Sequence, residues 1–217
     1  MKQLLILLLT ALLLPTAGAA AFSTASCHCF RHRSYDPADR FAADDYLVAT
    51  TFNSLIAKSF HISKGRIVMM KMQGGTDPDD LLVALYLARE SGRGLDLLLS
   101  VRENGGSWQQ ILGSLGLKKS DTPVLRALAR GADSREAAAL VTDWMLSRFF
   151  AIDGKEISKL RRQGFNGRQI AVICALARHA ATKPGVIAAM YRQQKMSWSQ
   201  IAAHYNLTPK EVGKIIA

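Results

Sequence analysis

Acidic side chains are scarce in this chain: 17 Asp and Glu stand against 28 Lys and Arg, for a formal charge of +11 over 217 residues. Such a balance disfavours cationic partners and suits anionic ones such as nucleic acid, phospholipid head groups or acidic polysaccharide. Only three cysteines are present, enough for one disulfide and one leftover thiol. No apolar run approaches the roughly 20 residues of a bilayer-spanning helix, so no integral membrane segment is expected downstream of the leader. Few stretches alternate with period two, so a sheet is not expected. Neither a Ser-His-Asp order nor a phosphate-binding glycine loop can be drawn. Asp77, Asp79 and Asp80 cluster, but Asp77-Pro78 reads as an ordinary helix start, where the helix dipole favours acids. No catalytic residue is assigned, and an enzyme is the less favoured reading.

What is there begins with a leader. Met1-Lys2-Gln3 precedes an apolar stretch, Leu4 to Leu14, interrupted only by Thr10. Pro15 and the small residues Thr16 to Ala21 follow. A positive start, a short apolar core and Ala-x-Ala ends are the pattern of a cleaved signal peptide, which places residues 1–21 outside the mature protein and the mature protein in the periplasm or outside the cell.

The rest of the chain repeats itself. At an offset of 90, Phe60-x-Ile62 and Ile67 match Phe150-x-Ile152 and Ile157, and Gln73-Gly74 matches Gln163-Gly164. Leu87-Ala88-Arg89 matches Leu176-Ala177-Arg178 after a slip of one residue, and Arg102 matches Arg192. Ser107-Trp108-x-Gln110-Ile111 matches Ser197-Trp198-x-Gln200-Ile201. Order and number make coincidence a poor explanation. The spacing predicts an all-α fold of two tandem multi-helix units, 40–122 and 130–217, joined by a connecting segment 123–129, after an extended arm over 22–39. Ser63, Asp77, Ser107, Asp153, Asn166 and Ser197 read as helix starts. Trp108 and Trp198, each one residue after a capping Ser, read as core anchors, as do Tyr86 and Cys174. Met69, Met70 and Met72 read as apolar gap-fillers.

The last twenty residues are helix-turn-helix-like. Ala202 is small where two helices cross, Asn206 stands at the turn, and Val212 and Ile215 supply a buried face. Lys210 and Lys214 would then be the nucleic-acid contacts. That reading is an alternative only: the leader sends the chain away from the chromosome, and the second helix offers no Arg, Asn or Gln to read base edges. The first unit is expected to break the pattern, with Pro123 where its second helix should continue.

Cys27-His28-Cys29-Phe30-Arg31-His32 is the chemically unusual stretch. Cys27, His28, Cys29 and His32 could contribute to a soft-metal site for zinc or copper(I), and Arg31 and Arg33 would lower the thiol pKa, which leaves a thiol-redox role as a further alternative. In an oxidising compartment the preferred use is structural: Cys27 or Cys29 pairs with Cys174. No cofactor beyond that candidate metal ion is expected.

Three strings carry a resemblance: Cys27-His28-Cys29-Phe30, Asp45-Tyr46-x-x-Ala49-Thr50-Thr51-x-Asn53-Ser54, and the Ser107-Trp108 helix. On these the chain, from Cys27 to about Leu117, resembles uncharacterised exported helical proteins of delta-type proteobacteria. The resemblance implies a fold and a compartment and no activity. The expected function is that of a non-enzymatic exported binding module for a protein or polyanionic ligand.

Overall fold

The structure, a computed structural model, describes residues 30–72, 75–117 and 122–216. Twelve helices and no strand are found among them. The first six are α1 (Asp44–Phe60), α2 (Lys64–Met72), α3 (Pro78–Ser91), α4 (Leu95–Glu103), α5 (Trp108–Ser114) and α6 (Pro123–Ala129). The second six are α7 (Ser134–Phe150), α8 (Gly154–Arg162), α9 (Gly167–His179), α10 (Pro184–Arg192), α11 (Trp198–His204) and α12 (Pro209–Lys214). Their lengths run 17, 9, 14, 9, 7 and 7 residues in the first series and 17, 9, 13, 9, 7 and 6 in the second. The signal peptide and the Cys27-His28-Cys29 stretch lie outside the described residues.

Local sequence sets most of these boundaries. Orphan amides at a helix start need acceptors, and short polar side chains supply them. Asp77 accepts from the amides of Asp79 and Asp80, with Pro78 opening α3. Ser107 with Gln110, Asn166 with Gln169, and Thr208 with Glu211 each form a reciprocal capping box. Helices α1 and α7 both stop on a left-handed residue that is not glycine, His61 at φ 53° and Ala151 at φ 56°. An L-residue there is costly, so its recurrence at positions 90 apart marks a shared stop.

Two expectations are corrected. Residues 123–129 are not a bare connector but helix α6, with Thr122 accepting from the Leu125 amide and Pro123 in the first turn. Pro123 therefore starts a second helix after the Trp108 helix, as Pro209 does after the Trp198 helix; both follow a Thr cap. Residues 118–121 have no counterpart between Leu207 and Thr208, and this insertion hides the match from a fixed offset. The second correction concerns methionine. Met69 and Met72 are 48% and 44% exposed, and only Met70 of that trio packs against the core.

The packing crosses between the two series. Helix α1 lies chiefly against α9 and α12, while α7 lies chiefly against α3 and equally against α6 and α9 after it, and α1 touches α7. The buried apolar side chains form one continuous cluster from Leu47 through Trp108, Met145 and Trp198 to Ile216, so the described residues share one core, not two small ones. Each fully buried Leu, Ile or Met in it stabilises by about 1.5–3 kcal/mol relative to exposure. Among the described residues no single helix is long and apolar enough to cross a membrane. The pair α9 and α10 passes together only with a bend of 119° at their junction, and both are core helices.

Candidate functional site

Where α1 and α7 approach, the first turns of α3 and α9 close in and leave a cleft of about 700 Å³. Asp45, Val48 and Phe52 line it from α1, and Arg135, Ala138 and Thr142 from α7. Both trios use the three-then-four spacing that places side chains on one helix face. Asp79 enters from the start of α3, and Asn166, Gly167, Arg168 and Gln169 from the start of α9. Tyr191 and Trp198 add aromatic wall, with their rings stacked at 4.1 Å. Gly167 permits a close approach at one point: a Cβ there would stand 2.5 Å from Thr142 Cγ2, so a side chain would force Thr142 or α9 to shift.

Three acids and three arginines line the cleft, and they differ in what they already hold. Asp44 accepts hydrogen bonds from the Trp198 and Ser199 amides at 3.0 and 2.8 Å and from the Ser199 hydroxyl at 2.9 Å. Burial nonetheless raises its pKa, outweighing those bonds. Arg161 binds Asp143 through Nη2 at 2.5 Å and Nε at 3.2 Å. Asp79 is pushed up by burial and by Asp77, while Arg168 and Arg135 pull it down. Arg168 lies over the Phe52 ring, 5.6 Å from its centroid. Among the described residues neither Arg135 nor Arg168 has a carboxylate oxygen within 4.0 Å. Two guanidinium groups thus face the cleft without an ion pair to any of the described residues.

Behind this face Lys71 donates to Asn53 Oδ1 at 2.9 Å. Burial, aided by the Arg168 charge, pushes the Lys71 ammonium down to about 8, against the pull of Asp79. A cation so placed reinforces the positive potential at Arg168 below that pH and releases it above.

The residues singled out from sequence lie elsewhere. Cys27, His28 and Cys29 are outside the described residues, and His32 is exposed. Cys174 is a free thiol within α9, 4% exposed, and burial pushes it up to about 12. Among the described residues no three His, Cys, Asp or Glu side chains are grouped to hold a metal ion. Lys210 and Lys214 are exposed on α12, whose Val212 and Gly213 are buried against α1. Asp80 belongs to a structural network: its carboxylate accepts from Arg102 Nε at 3.1 Å, from Trp108 Nε1 at 3.2 Å and from the Ser134 hydroxyl.

Sequence reasoning did not find Arg135, Arg168 or Lys71. The offset of 90 was the available signal, since it places Asp45 on Arg135, Asn53 on Asp143 and Lys71 on Arg161. Positions related by that offset whose residues differ in sign or partner are candidates for function once the matching positions are set aside. No family model, no curated protein and no solved structure matches this chain.

Proposed function

We propose that this chain is an exported binding protein, built from two copies of one six-helix unit, that holds a small carboxylate-bearing ligand in the cleft between α1 and α7. The leader pattern of residues 1–21 supports export. The paired helix lengths, the shared left-handed stops at His61 and Ala151, and the two Thr-Pro helix starts support the duplication.

One observation carries the ligand class: Arg135 and Arg168 face a cleft of about 700 Å³ with no carboxylate of the described residues paired to them. A guanidinium presents a planar fork that matches a planar carboxylate in two hydrogen bonds. The aromatic wall of Phe52, Tyr191 and Trp198 suits an apolar or ring-bearing remainder, and the volume lies within the range of small-molecule sites.

The test is a thermal-shift panel of aliphatic and aromatic mono- and dicarboxylates, amino acids and dipeptides, followed by calorimetry on whatever raises the midpoint. The expected result is saturable binding of at least one carboxylate, weakened roughly ten-fold or more in Arg135→Gln and in Arg168→Gln, the scale of a lost charge-assisted hydrogen bond. A panel without any binder, or a binder indifferent to both changes, would overturn the reading.

A further inference from the structure

On the far side of α1 a second cavity, of about 360 Å³, is walled by α12, the start of α2 and the N-terminal segment. Its charged lining is all of one sign: Arg33, Lys64, Lys210 and Lys214, with the hydroxyls of Thr50 and Ser54 beneath. Lys64 Nζ donates to Thr50 Oγ1 at 2.5 Å and to Ser54 Oγ at 3.0 Å, which leaves one ammonium proton. Ser54 Oγ in turn donates to the Thr50 carbonyl at 3.0 Å. Burial and the Lys210 charge both push Lys64 down. The acid on α12, Glu211, is engaged instead with the Thr208 amide and hydroxyl at 2.9 and 2.8 Å.

Gly213 eases this approach. A Cβ on Gly213 would stand 3.2 Å from Ser54 Oγ and 3.3 Å from the Thr50 carbonyl oxygen. Lys210, Gly213 and Lys214 share one face of α12, so the close contact at Gly213 brings both lysines over the Thr50–Ser54 floor.

Packing alone does not call for these residues. Under the two-copy reading proposed above, the same place in the other half is the cavity lined by Val124, Leu140, Trp144 and Gly154. There Leu140 stands for Thr50, Trp144 for Ser54, Gly154 for Lys64 and Val124 for Lys210. One fold position therefore tolerates an apolar lining, and the cationic one needs another cause.

We propose that the Lys64–Lys210–Lys214 pocket is a binding site for a tetrahedral oxyanion, a phosphate or phosphate monoester. Lysine ammonium groups act as compact point charges that converge on such an ion from several directions. The Thr50 hydroxyl, which accepts from Lys64, can add a donor, whereas the Ser54 proton is already given to the Thr50 carbonyl. Without the anion the like charges repel one another, and its arrival relieves that repulsion.

The experiment is calorimetric titration of the protein with inorganic phosphate at low ionic strength. It is run on the wild type, on Lys210→Ala/Lys214→Ala, and on Lys183→Ala/Lys195→Ala, which loses the same charge from exposed lysines outside the pocket. Saturable phosphate binding is expected in wild type and control, with a loss of roughly ten-fold or more in the pocket variant. Lys64→Gln is expected to weaken it as well, with circular dichroism verifying the fold. Arg135→Gln/Arg168→Gln should leave phosphate binding unchanged, which separates this site from the cleft. Vesicles of phosphatidylcholine doped with phosphatidic acid identify the source: binding lost in the pocket variant assigns a lipid headgroup, and binding confined to free phosphate assigns a soluble ion. Absent saturation, or an equal loss in both double variants, overturns the proposal. So does binding of duplex DNA that the pocket variant loses while free phosphate never saturates.

Discussion

Lys71 and Arg161 stand 90 residues apart near the ends of α2 and α8, and each reaches back to the long helix before it. Arg161 meets a carboxylate, Asp143, at 2.5 Å. Lys71 donates instead to an amide oxygen, that of Asn53, at 2.9 Å, and its ammonium is pushed down to about 8. Positions 53 and 143 are also 90 apart, so under the two-copy reading proposed above one place in the unit carries a neutralised cation in one half and a burdened one in the other. The corners around the tryptophans differ in the same manner. At Trp108 the helix start is closed by its own Ser107–Gln110 box, and the indole is held by Ser134 of α7 at 2.8 Å. At Trp198 the position matching Ser134 is Asp44 of α1, whose carboxylate takes the backbone amides instead. Under the two-copy reading proposed above, the scaffold is kept while polar partners are exchanged, and two of the exchanged residues, Asp44 and Arg161, border the cleft.

The largest expected effect tests the scaffold side of this comparison. Trp198 is 2% exposed, stacked on Tyr191 at 4.1 Å and tilted against Phe165 at 6.0 Å. Trp198→Ala should cost about 3–5 kcal/mol in urea unfolding, and Trp108→Ala, at 3% exposure, should fall in the same range. If one corner costs under about 1 kcal/mol, the two tryptophans are not equivalent anchors.

The second test exchanges the partners of the two cations. A lysine whose folded pKa lies below its unfolded value of 10.5 loses its proton first in the folded state. The unfolded chain then binds more protons between pH 8 and 10.5, and stability rises with pH across that window. Below about pH 8 the full penalty is present. Asn53→Asp supplies the carboxylate that Asp143 supplies in the other half, so it should raise the Lys71 pKa and flatten that rise. A gain on the order of 2 kcal/mol is expected at pH 7. Chemical denaturation at pH 7, 8, 9 and 10.5 measures both. A rise of equal steepness in wild type and variant would remove Lys71 as its source. The reciprocal change, Asp143→Asn, leaves Arg161 without its carboxylate and should cost about 1–2 kcal/mol, moderated because both side chains are about one-third exposed.

How much of this was legible beforehand follows from how local each feature is. The caps at Asp77, Ser107, Asp153, Asn166 and Ser197 could be read directly, because a cap and the amide it satisfies lie within three residues of each other. The tryptophans could be read as core from their place one residue after a cap. Helix α6 could not, because the four residues 118–121 shift it off the offset of 90 that holds, but for one slip of a residue, before it. Met69 and Met72 misled, since being apolar does not specify which face of a short helix points inward. The cleft was invisible for a different reason. Asp79, Arg135 and Arg168 come from three helices that converge only because α1 and α7 cross between the two series, and nothing in the local pattern states that crossing.

The smallest effect separates the two helix caps. Gln110 Oε1 accepts from the Ser107 amide and hydroxyl, both at 3.0 Å. Its counterpart, Gln200 Oε1, is buried without a hydrogen-bond partner among the described residues, where Asp44 binds the Ser199 amide and hydroxyl and Ser197 Oγ lies 3.2 Å from Ser199 Oγ. A buried acceptor left unmade carries its desolvation cost with nothing in return. Gln200→Met, which keeps the length and removes that acceptor, should therefore be neutral or stabilise by up to about 1 kcal/mol. Gln110→Met breaks a reciprocal box and should cost about 0.5–1 kcal/mol. The two thermal midpoints should move in opposite directions or differ clearly. If both fall alike, Gln200 serves its helix as Gln110 does, and the corners differ less than their hydrogen bonds indicate.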